Sequence, residues 1–142
     1  MPSDEEHQRL AWPFVLALDL PRTRLTPVVA TARVAYAPDR FAGNVKTLDE
    51  KKRDWRMLPS KGAALLWKAQ PSLALDLSPE FDLAAAYVVG ASPALVRVGI
   101  YSERGEPFYD FLVAPKGGYR EALNALRGYL TAVRPVALSF TD

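Results

Sequence analysis

Apolar and polar positions alternate with a period of two over "FVLALDL" (14–20) and "PVVATARVAY" (27–36), the pattern of half-buried strands, with the turn-like "PRTRLT" between them. The pair predicts an antiparallel hairpin. In its second strand Val28, Ala30, Ala32, Val34 and Tyr36 share one face, and Arg22 and Arg24 lie at the tip of the linking loop. A second hairpin is predicted where "ALVRVGIY" (94–101), "SERGE" and "PFYDFLVA" (107–114) follow one another. There Val96, Val98 and Ile100 pair with Tyr109, Phe111 and Val113 in the core, and Arg97, Tyr101, Phe108, Asp110 and Leu112 take the opposite face. Further strands are expected at "SLALDL" (72–77) and "VALSF" (136–140).

Other segments carry the helical spacing. "YREALNALRGYL" (119–130) has apolar residues at 119, 122, 123, 126, 129 and 130, the stripe of a helix packed on a sheet. Thr47 stands three residues before Glu50, a capping-box spacing that predicts a helix over about 48–57, ended by Pro59. Ser60 caps a short helix that stops before Pro71. "SPEFDLAAAYVVG" reads as a helix opened at Ser78 and stopped at Gly90, although "AAAYVV" also fits a strand. The fold class expected is α+β, an antiparallel sheet of two β-hairpins with helices on one face. "LALDL" at 16–20 and again at 73–77, each later followed by a similar strand ("RVAY", "RVGIY"), suggests an internal pseudo-repeat. Residues 1–11 read as a disordered acidic tail and 12–142 as a single domain.

Composition narrows the chemistry. Nearly half the residues are apolar and about a quarter charged, the balance of a globular protein. Pro, Asp and Arg interrupt every candidate for the roughly 20-residue apolar run of a membrane span. The acidic start lacks the basic and apolar parts of a secretory leader, so a cytoplasmic protein without membrane contact is expected. The absence of cysteine removes disulfides, thiolate nucleophiles and sulfur-based zinc sites. The single histidine, His7, falls in the acidic tail, and no histidine stands ready to activate Ser92 in the elbow-like "GASPA". No cofactor is expected. Few Asn and Gln, twice as many Arg as Lys and abundant Pro give a thermophile-like composition.

Charge changes the picture further. The formal net charge is only +2, yet residues 40–68 hold eight basic and three acidic side chains, so the remainder of the chain is net negative. On the expected helix Leu48, Trp55 and Leu58 form a narrow stripe flanked by Lys51, Lys52 and Arg56, and Asp49 pairs with Arg53 four residues on. On the second hairpin, Arg97, Tyr101 and Phe108 make a surface on which bases can stack. The leading expectation is a non-enzymatic nucleic-acid-binding module that prefers single-stranded DNA or RNA. Arg22, Arg24, Lys51, Lys52, Arg53 and Arg56 would meet phosphate, and Arg97, Tyr101 and Phe108 would stack. The alternative is a protein-interaction or regulatory subunit: a homodimer through the open sheet face, or a basic helix that meets an acidic protein.

Three patterns suggest other chemistry. Pro38 and Asp39, followed by "EKK" at 50–52, resemble the P-D…E-x-K pattern of the metal-dependent PD-(D/E)xK nucleases. That resemblance covers four residues and implies Asp39 and Glu50 as metal ligands and Lys52 as the group that assists a water. In that family the E-x-K segment lies on a buried strand, whereas "TLDEKKRDW" is charged on both sides and reads as a helix, so the nuclease reading stands third. Asp76, Glu80 and Asp82 could hold magnesium through oxygen, although Glu80 and Asp82 also suit a helix start. "APKGGYREAL" runs through two glycines into a helix, a place for an anion beside Lys116 and Arg120, and equally an ordinary connection.

Overall fold

Asp4 opens the first helix, α1 (Glu5–Ala17): its side chain accepts from the His7 amide at 2.9 Å, and Glu5 and Glu6 place negative charge on the first turn. The computed structural model describes residues 1–2, 4–19, 27–30, 37–41, 46–48, 71–114 and 116–137. Gln8, Ala11, Trp12 and Val15 are buried at the i, i+3, i+4, i+7 spacing, with Phe14 beside them. Residues 14–17 are therefore helical, not the strand that their alternation predicts, and the segment read as an acidic tail carries the helix's first turns. Pro13 lies inside the helix on its exposed side. Asp19 then takes a left-handed turn, φ 48°, as the chain leaves the helix.

Strands β1 (Val28–Ala30) and β2 (Lys46–Leu48) form a parallel pair, with Val28 opposite Lys46. Thr47, read above as a helix cap, is the middle residue of β2. A separate three-stranded sheet is ordered β3 (Leu73–Leu75), β4 (Val96–Ile100), β5 (Phe111–Val113), and both of its pairings are parallel. The class is α+β, but the antiparallel sheet of two hairpins is overturned. Between β3 and β4 lies helix α2 (Leu83–Gly90), whose first turn is capped by Asp82 accepting from the Ala85 amide at 3.0 Å. A helix between adjacent strands is the usual way to return a chain for parallel pairing.

The β4 to β5 connection explains the misread hairpin. Ser102 caps a 3-10 turn over Glu103–Phe108, its hydroxyl and carbonyl both accepting from the Gly105 amide at 3.1 and 3.0 Å. "SERGEPF" thus winds instead of reversing. Phe111 pairs with Val98, so the chain must retreat only from the level of Ile100 to that of Val98, roughly 7 Å along a strand. Six residues of 3-10 structure rise about 12 Å, enough for that return.

Helix α3 (Tyr119–Ala137) follows β5 and runs past its expected end at 130, so positions 136 and 137 are helical, and 138–140 lie outside the described residues. Its Leu123 and Leu126 join Ala11, Trp12, Phe14 and Val15 of α1 over Leu77, Val98 and Val113, with Phe41 inserted beside Trp12 at 5.6 Å between rings. Buried Gln8 is satisfied within this core: it donates to the Pro2 carbonyl at 2.8 Å and accepts from the Trp12 indole at 3.4 Å. The pseudo-repeat fails here too. Leu16 and Ala17 end a helix, whereas Leu73–Leu75 form β3, so one pentapeptide takes two structures. Among the described residues no helix is long and apolar enough to cross a membrane.

Candidate functional site

Arg97, Gly99 and Tyr101 share the face of β4 that points away from buried Val98. The Arg97 guanidinium is held there: Nε donates to the Ser92 carbonyl at 3.2 Å, and a terminal nitrogen lies 3.5 Å from Asp110, whose carboxylate also accepts from the Arg97 amide at 2.9 Å. Phe108 turns towards α2, its ring centre 6.0 Å from that of Phe81 and its atoms 3.0 Å from where a Cβ on Gly90 would stand. Tyr101, nearly half exposed at the end of β4, is the member of the set with its ring presented to solvent. Arg22, Arg24, Lys51, Lys52, Arg53 and Arg56 lie outside the described residues, as does Glu50; Asp39 is exposed in a 3-10 turn, Asp39–Phe41.

The same sheet face carries a cluster that pattern reasoning missed. Tyr109 lays its ring across Gly99, where an added Cβ would come within 2.9 Å of it, and also packs on Gly105. Its hydroxyl donates to Asp76 at 2.5 Å, just beyond the end of β3. The other oxygen of Asp76 accepts from the Ser78 amide at 2.9 Å. Alongside, the Tyr119 hydroxyl donates to the Leu77 carbonyl at 2.6 Å and its ring meets that of His7 edge-on at 4.9 Å. His7 in turn bonds Asp4 at 2.6 Å, tying the first turn of α1 to the first turn of α3.

Electrostatics follow from this packing. Burial pushes the Tyr109 hydroxyl far above a tyrosine's ordinary range, and the charge and hydrogen bond of Asp76 add to it. Tyr119 is raised as well, first by burial and then by Asp76. The buried Met1 amino group is lowered by desolvation, against the pull of Asp76 and Asp82. Desolvation would raise Asp4, but the hydrogen bonds from the His7 amide and ring hold it below the usual carboxylate value. Asp4, Asp76, Tyr109 and Tyr119 all make hydrogen bonds within the fold. Among the described side chains no buried nitrogen or oxygen lacks a partner.

Neither smaller candidate assembles. Asp76 is occupied as above, Asp82 caps α2, Glu80 is exposed, and the described residues contain no group of three acids or histidines placed to hold a metal. At the start of α3, the Glu121 carboxylate lies against Gly117, which puts a negative charge beside that turn. A small cavity of about 30 Å³ between Ala17, Leu18, Arg127, Leu130 and Thr131 has room for little more than a water. No family model matches the chain, and no curated protein or solved structure is found to match it.

Proposed function

We propose that the protein is a non-enzymatic nucleic-acid-binding module with a preference for single strands. The observation that carries this reading is the distribution of charge: residues 40–68 hold eight basic and three acidic side chains in a chain whose formal net charge is +2. A concentrated positive segment attracts phosphate through the release of condensed counterions, whatever the base sequence. Lys51, Lys52, Arg53 and Arg56, with Arg22 and Arg24, are the phosphate contacts, and the exposed Tyr101 offers a ring for stacking. Phe108 leaves the binding set because its ring is committed to α2. Arg97 takes part by exchanging Asp110 for phosphate.

Substitution separates these roles. Lys52→Ala and Arg56→Ala should each weaken binding to all sequences alike and lower the salt slope by about 1. Asp110→Asn, which frees Arg97, should tighten it. Binding indifferent to Lys52 and Arg56 would refute the assignment. A second reading, a protein-interaction module, is favoured by a run of exposed apolar side chains at one end of the three-stranded sheet.

A further inference from the structure

Helix α3 carries a polar register that the core does not use. Its Ala122, Leu123 and Leu126 are buried, while Arg120, Asn124, Arg127 and Thr131 are exposed. Those four stand at i, i+4, i+7 and i+11, one stripe along the helix, and Arg134 follows at the same seven-residue spacing. At 1.5 Å per residue the stripe from 120 to 131 is about 16 Å long. Arg9 and Arg97 are paired with Glu5 and Asp110, but among the described residues neither Arg120 nor Arg127 meets an acid. Glu121, the acid of this helix, lies against Gly117. Gly128 neighbours Asn124 and Thr131 on the helix surface, and a β-carbon added there would meet no described residue within 4 Å. No described neighbour calls for a glycine at this exposed position, where it weakens the helix relative to alanine. The bare backbone beside the stripe gives a ligand room to come close.

We propose that this stripe is a second contact surface for the phosphate backbone of a single strand. The inference rests on the nucleic-acid reading above and adds to it a surface outside residues 40–68. Guanidinium groups interleaved with amide and hydroxyl side chains are the set that holds phosphate oxygens. The stripe has no apolar or aromatic side chain, which the centre of a protein interface would need, so its charge selects a phosphate backbone over an acidic protein surface. Placement supports the same occupant. Arg127 and Thr131 line a small hollow with Ala17 and Leu18, where the chain leaves α1, and Arg22 and Arg24 follow four and six residues after Leu18.

Anisotropy of a labelled oligothymidylate, titrated with the full chain at several salt concentrations, tests the proposal. Wild type is compared with Arg120→Ala, Arg127→Ala and Arg127→Lys, changes at exposed positions that should leave the circular dichroism unaltered. Each alanine variant should weaken binding about threefold or more and lower the salt slope by about 1, while Arg127→Lys, which keeps the charge, retains the slope. Wild-type binding that neither alanine variant changes overturns this inference and leaves the nucleic-acid reading standing. Absence of wild-type binding overturns both. Equal competition by polyglutamate of matched charge overturns the choice of phosphate.

Discussion

Tyr109 can reach Asp76 only because residue 99 is glycine: the ring occupies the space a β-carbon would fill, and Gly105 closes the slot from the other side. The ring is held by its hydroxyl, so it has little freedom to move aside. Gly99→Ala should therefore destabilise the protein by about 1–3 kcal/mol, the usual cost of overpacking, read as a lower midpoint in urea. Tyr109→Phe leaves one Asp76 oxygen without its donor and should cost about 1–3 kcal/mol. Both Tyr109 and Tyr119 bind their protons more tightly folded than unfolded. Their stabilising contribution is thus complete below the unfolded value of about 10 and drains away as the pH climbs above it. In an alkaline titration the tyrosinate absorbance of these two residues should appear only with unfolding. Smooth ionisation of all the tyrosines in a still-folded protein would contradict the packing.

Elements show where sequence pattern informs and where it is silent. Helix α3 and strand β4 were legible because each repeats one period over many residues. Helix α1 was not. "FVLALDL" satisfies the strand period, and Pro13 looks like a boundary, yet the burial of Gln8, Ala11, Trp12 and Val15 follows the helical period across it. Alternation also carries no direction: it places Val96 and Val98 on one face of β4 but cannot say whether β5 runs with or against them. That was decided by Ser102, whose side chain caps a 3-10 turn where a reversal was expected. The bond from Tyr109 to Asp76 joins residues 33 apart, and no local spacing rule reports such a contact. Nor does a strand pattern say how far the covering helices reach, which is why Phe111 and Val96 read as core although both are partly exposed. At the end of α1, Asp19 holds a left-handed conformation that glycine adopts without strain. Asp19→Gly should raise stability by about 1 kcal/mol in a denaturant titration, and a loss of stability would argue against this helix end.

On the scale of the whole molecule the features separate by region. The three-stranded sheet has one face packed by α1 and α3 and another crossed by Tyr109, whose hydroxyl donates to Asp76, while that of Tyr119 donates to the Leu77 carbonyl. Such a cluster holds the fold together. The positive charge collects in 40–68, between α1 and β3 in the sequence, and it supplies the main ground for a polyanionic ligand. Exposed Tyr101 would add one stacking ring under the proposed function, and partly exposed apolar side chains lie on the opposite face of the sheet. The most direct measurement is the anisotropy of labelled single-stranded DNA and RNA titrated with the protein at low and at moderate salt, with duplex DNA as comparison. Tighter binding to the single strands, weakening steeply as salt rises and quenching tryptophan fluorescence, is the predicted result. No binding at low salt would contradict the nucleic-acid reading and leave the protein-interaction reading in its place.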